Sequence, residues 1–133
     1  MKLPGLLLPL TLCLTGCHSF TRAPGAVGQI IDAESRAPIS GARITRPFIP
    51  SGGIGIPAEG IPVTVVLSDR RGRFDLPPAR HTQFAFMHLR NPESISGSFT
   101  VSSDGYGTNQ VQGVASSHTL WRVNCGQIPL KTK

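Results

Sequence analysis

The sequence predicts an all-β domain, with seven to eight short strands in two antiparallel sheets packed on one core. Three observations lead there. Gly and Pro supply 15 and 12 of the 133 residues, so turns are frequent. No stretch sustains the 3.6-residue apolar period that an amphipathic helix needs. Short apolar and β-branched runs recur instead at fairly even spacing, each bounded by turn residues, as in a sandwich or barrel. The length suits a single domain with a single core.

The amino terminus has a different character. Met1-Lys2 carries one positive charge, and Leu3 to Gly16 carries none. This is the layout of a secretory signal peptide. The run is shorter than the roughly 20 residues that span a bilayer, and Pro4 and Pro9 interrupt it, so a transmembrane anchor is rejected. It ends Leu14-Thr15-Gly16-Cys17, which resembles the lipobox of bacterial lipoproteins. That family has a branched apolar residue, two small residues and then a cysteine. The resemblance implies cleavage between Gly16 and Cys17, a diacylglycerol on the Cys17 thiol and an acyl chain such as palmitate on the new amine. Cys13 fits poorly, because bulky Leu12 would precede the cut. Two or more acyl chains give stable attachment, at ~0.8 kcal/mol per buried methylene. His18 stands where lipoproteins of the inner membrane carry Asp, which implies the outer membrane, facing the periplasm. The expected organisation is a signal peptide over 1–16, a lipidated terminus and short tether over 17–25, and a β-sandwich over 26–133.

The strands follow in order. Ala26 to Asp32 is the first, closed by a polar turn over Ala33 to Ala37 and stiffened by Pro38. Ala42 to Ile49 is a second extended stretch. Pro50 to Gly60 is a Gly/Pro-rich loop with Ile54 and Ile56 as apolar tips between glycines. Val63 to Ser68 is rich in β-branched residues. Asp69-Arg70-Arg71-Gly72 has Asp first and Gly last, as a type I turn prefers. Arg73 to Leu76 alternates polar and apolar, so these two strands are expected to form a hairpin. Gln83 to Leu89 is an apolar strand apart from His88. Asn91 to Gly97 is a loop, and Phe99 and Val101 alternate with Thr100 and Ser102 before an Asp104-Gly105 turn. Asn109 to Ala115, Thr119 to Cys125 and Gln127 to Lys131 complete the set. Trp121, Val123 and Cys125 would share one strand face, which makes Cys125 a core thiol, with intermolecular pairing as the alternative.

Several of these blocks resemble the carboxypeptidase regulatory-like domain. Gly28-Gln29-Ile30-Ile31-Asp32, Pro38-Ile39-Ser40-Gly41-Ala42-Arg43-Ile44 and Ser68-Asp69-Arg70-Arg71-Gly72-Arg73-Phe74 follow that family's pattern in order. Phe99 to Tyr106 and Ile128-Pro129-Leu130 are similar to its later strands. The resemblance implies a transthyretin-like (prealbumin-like) β-sandwich, in which the matched residues are structural. Tyr106 is expected to sit at a strand corner with its ring packed and its hydroxyl bonded.

The chemistry expected of the chain is sparse. The formal net charge is +6, ten of the cations being Arg, but the charges are scattered and no aromatic residues interleave with them, so nucleic-acid binding is not expected. No HExxH or H-x-H pair joins His18, His81, His88 or His118, and Ser116-Ser117-His118 lacks an assignable carboxylate, so no catalytic residue, metal or cofactor is expected. Among enzymes on related sandwiches, the transthyretin-like hydrolases end in Tyr-Arg-Gly-Ser, whereas this chain ends Leu130-Lys131-Thr132-Lys133. Intradiol dioxygenases hold iron with two Tyr and two His, and Tyr106 is the one tyrosine. The expected function is a membrane-anchored, non-enzymatic binding or scaffolding module for an envelope protein or glycan, with Ile54 and Ile56 as candidate contacts. The alternative is a small envelope hydrolase or metal-dependent enzyme.

Overall fold

The computed structural model describes residues 17–50, 60–84 and 93–133, with side chains of 17–20 and 81–84 outside the description. Among the described residues nine strands follow one another: β1 (Cys17–Ala23), β2 (Gly25–Asp32), β3 (Arg43–Arg46), β4 (Thr64–Leu67), β5 (Arg73–Leu76), β6 (Ala79–Phe84), β7 (Ser94–Ser102), β8 (Asn109–Ser116) and β9 (Arg122–Leu130). They form a three-stranded sheet β5-β2-β9, a four-stranded sheet β4-β3-β7-β8, and a two-stranded ladder β1-β6. The architecture is the all-β sandwich that the residue pattern predicts. Each pair is antiparallel except β2–β9, which runs parallel. A parallel pair needs a long crossover; here the whole four-stranded sheet lies in the chain between its two members.

The core lies between the two larger sheets. Ala26, Ile30, Phe74, Leu76, Ile128 and Leu130 enter from one side. Ile44, Phe99 and Val101 enter from the other, with Ile39 and Ala42 from the connection after β2. Phe74 and Phe99 meet edge to face across the gap, centroids 5.9 Å apart at 60°, a geometry that suits the aromatic quadrupole.

Several expectations are corrected. Residues 17–25 do not form a tether: Cys17–Ala23 is a strand paired with Ala79–Phe84, and Ala23 is buried. The expected hairpin of β4 and β5 is not a ladder. The turn itself is present, with the Gly72 amide donating to Asp69 O at 2.9 Å and the Asp69 amide to Arg73 O at 2.8 Å. Asp69 Oδ1 accepts the amides of Arg71 (2.8 Å) and Arg73 (2.9 Å), and Gly72 takes φ +70°, where a side chain is strained. Beyond the turn the strands part, because each has a better partner: β4 pairs with β3, and β5 with β2. The turn is thus the corner joining the two sheets.

Ser68 locks that corner. It is 5% exposed; its hydroxyl donates to Ile39 O (2.7 Å) and accepts the Ala42 amide (2.9 Å). The second and third sequence blocks are therefore joined through one buried hydroxyl with both partners in place.

The remaining differences concern boundaries. The extended stretch from Ala42 breaks after Arg46, where Pro47 lacks an N–H, and resumes as an isolated bridge between Ile49 and Ile61. β7 begins at Ser94, so Gly97 lies in a strand rather than a loop. Thr119 ends a 3-10 turn over Ser117–Thr119, and Leu120 and Trp121 are left-handed, with φ 52° and 59°. Trp121 therefore lies outside β9 and does not continue the face of Val123 and Cys125. Within β9, Asn124 opposes Val27 and Gln127 opposes Gln29. The extra residue is a bulge, with Gly126 at φ 59°. It shifts the alternation by one, so Cys125 and Ile128 both face the core despite an odd separation. Strand and loop expectations over 51–59 and 85–92 lie outside the described residues.

Candidate functional site

Residues 42 to 46 alternate along β3, with Ala42, Ile44 and Arg46 inward. Period-2 geometry thus delivers a guanidinium to a core position. Arg46 is 5% exposed. Its Nη1 donates to Pro77 O at 2.7 Å, and its Nη2 to Oγ1 of its cross-strand neighbour Thr64 at 3.2 Å. Nε is buried with no acceptor among the described residues. Both acceptors are neutral, and the ion pair among the described residues, Arg122 with Asp75 at 2.9 Å, is elsewhere and exposed. Burial pushes the Arg46 guanidinium below its ordinary value, because the charged form has lost solvent.

Arg46 borders a cleft of about 220 Å³ between the sheets. Pro24, Leu76, Phe99 and Val123 give it apolar walls, and Arg22, which is exposed, brings a second cation. A missing pair of side chains shapes the wall. Gly97 on β7 stands opposite Gly113 on β8. A Cβ on Gly97 would lie 2.7 Å from Pro24 Cδ, and one on Gly113 would lie 2.8 Å from both Val123 methyls. The Gly–Gly pair lets the start of β2 and the start of β9 close against the four-stranded sheet. The arrangement can receive a ligand with an apolar body and an anionic end. Sequence reasoning missed Arg46, although its place in line with Ala42 and Ile44 was a readable signal.

The opposite end of the sandwich carries a closed polar set. Asp32 Oδ1 accepts the amides of Glu34 (2.9 Å) and Ser35 (2.7 Å). Those two bonds, and then the Tyr106 hydroxyl, hold the Asp32 carboxyl below its ordinary value. The same contact with Asp32 raises Tyr106. Tyr106 packs against the core and bridges to Thr132, at the strand corner expected of it.

The sequence-predicted residues are dispersed. Cys17 opens β1 opposite Phe84; its side chain lies outside the description, as do Gly16, Ile54, Ile56 and His88. His18 and His81 are placed by backbone register only, opposite Gln83 and Phe20. His118 is exposed in the 3-10 turn. Cys125 is half-buried against the core, and burial raises its thiol. Among the described residues, no three of His, Cys, Asp or Glu converge, and no helix is long and apolar enough to cross a membrane.

The two edges of the four-stranded sheet differ. Val65 and Leu67 on β4, with Val63 just before it, expose 43%, 61% and 55% of their surface. Gln110 and Gln112 are exposed on β8, followed by Val114. Among the described residues β4 has one neighbour, β3.

No family model and no curated protein matches this chain. Among solved structures, the chain is similar to 3-chlorocatechol 1,2-dioxygenase from Rhodococcus opacus 1CP, at 11% identity and a TM-score of 0.48. The match covers 85% of this chain and 62% of the dioxygenase chain, so this chain spans less than two thirds of that protein.

Proposed function

We propose that the protein is an envelope lipoprotein. In this reading a β-sandwich is held at the outer membrane, on its periplasmic face, through lipid on Cys17. It serves as a non-enzymatic binding or scaffolding module, and its partner is an envelope protein. The observation that carries the reading is the apolar edge of β4. Val63, Val65 and Leu67 are exposed beside a strand with one paired neighbour among the described residues. Soluble proteins commonly guard such an edge with charge, proline or a covering loop. An extended segment of a partner can add to it, with backbone hydrogen bonds giving affinity and alternate side chains giving selectivity. The signal-peptide pattern and Leu14-Thr15-Gly16-Cys17 support the location. The carboxypeptidase regulatory-like motifs support a structural module.

Two measurements test the two halves. Mass spectrometry of the mature amino terminus is expected to find acylated Cys17, and Cys17→Ser is expected to release the protein from membranes. An unmodified Cys17 removes the location. A photo-crosslinker at Val65 in cells is expected to trap one stoichiometric protein, which Leu67→Lys abolishes and which a crosslinker at Gln110 does not trap. Equal labelling from both edges, or none from Val65, removes the partner surface.

A further inference from the structure

We propose that the cleft around Arg46 is a binding site for a small apolar monocarboxylate. The inference rests on the reading as a binding module but not on the β4 edge. A guanidinium carries five N–H donors. The described bonds of Arg46 use two of them, both to neutral acceptors. One of the others, Nε–H, is buried and has no acceptor among the described residues. An uncompensated charge at 5% exposure is costly unless a counter-charge joins it. A carboxylate supplies that charge and two oxygens that match the planar fork. Arg22 adds a second positive group on the same cleft.

The rest of the cleft defines the rest of the ligand. Its walls are mainly apolar, with Pro24, Leu76, Phe99 and Val123 beside Ser96 and Ser98, and reward an aliphatic or aromatic body. A cavity of about 150 Å³ already holds benzene, so about 220 Å³ admits a benzene-sized group and its carboxylate. Both a free acid and the carboxyl-terminal residue of a peptide present this chemistry.

The test uses the full ¹⁵N-labelled chain in a nonionic detergent, with phenylacetate as probe and phenylacetamide as its neutral counterpart. Phenylacetate is expected to shift the Arg46 Nε–H resonance and to bind at least about tenfold more tightly than the amide, the scale of a charge-assisted hydrogen bond. Arg46→Gln is expected to abolish binding. Arg22→Gln, at an exposed position that leaves the fold intact, is expected to weaken it about threefold. A dipeptide ending in Leu, compared with its carboxyl-terminal amide, distinguishes a peptide source from a free acid; either one binding through its carboxylate supports the site. Equal affinity for acid and amide, or no binding of either up to the solubility limit, overturns the proposal. Glu59 is the one acidic residue outside the described stretches. Binding that appears only in Glu59→Gln also overturns it, because the chain's own carboxylate then fills the cleft. Failure here leaves the Val65 crosslink untouched, and failure of that crosslink leaves the carboxylate titration untouched.

Discussion

Ser68 and Arg46 are equally buried, each 5% exposed, and sit in contrasting surroundings. Around Ser68, donor and acceptor are both matched, and Asp69 and Asp32 close their own turns with two amides apiece. Around Arg46, a charged group meets two neutral acceptors among the described residues, keeps an N–H that none of them pairs and faces a cleft. A buried polar group with all its bonds made serves the fold. One left short is retained for some other reason. The contrast separates the structural end of this sandwich from the end able to take a ligand.

The largest effect expected from probing that contrast is at the satisfied end. Ser68→Ala strands the Ile39 carbonyl and the Ala42 amide, and is expected to cost about 2 kcal/mol in urea unfolding. A loss under about 0.5 kcal/mol would mean that the corner is not held by this hydroxyl. Arg46→Met should cost far less, within about 1 kcal/mol of the parent. The lost bonds to Pro77 and Thr64 are offset by relief of an unpaired buried charge. A loss of about 3 kcal/mol or more would make Arg46 a fold residue like Ser68 and erase the distinction.

The smallest effect concerns Asp32. Its carboxyl is held below the ordinary 3.8 by the Ser35 and Glu34 amides and Tyr106. A depressed carboxylate contributes stability above its unfolded value and loses it as the pH falls through the folded one. The thermal midpoint of the parent should therefore exceed that of Asp32→Asn at pH 6. The gap should narrow only as the pH drops below about 4, the unfolded value, and through the lower folded one. A gap independent of pH would mean that the charge does not matter to the turn.

The legible parts of the molecule are those set by local chemistry. Asp69 and Gly72 announce their turn, Gly105 its own, and the alternation of Arg73 to Leu76 its strand. What escaped depends on partners distant in the chain. A tight turn fixes a reversal but not which strand lies alongside, so β4 and β5 looked like a hairpin although β3 and β2 claim them. Gly97 read as a loop residue, because the meaning of a glycine in a strand lies in Pro24, far away in sequence. The bulge at Gly126 reset the parity of β9, and the left-handed turn at Leu120 and Trp121 removed the tryptophan from it. Arg46 was hidden by its charge: an arginine in an extended stretch suggests solvent until its alignment with Ala42 and Ile44 is counted.

The parallel union of β2 with β9 has a consequence for how the body assembles. β2 is the middle strand of its sheet, flanked by β5 on one side and by residues 122–130 on the other. One of that sheet's three strands is therefore missing until residues 122–130 arrive, and Ile128 and Leu130 with it. Contacts of such long sequence separation form slowly. A nascent or threading chain therefore stays open until β9 has emerged, because Ile30 finds its core neighbours Ile128 and Leu130 only on that strand.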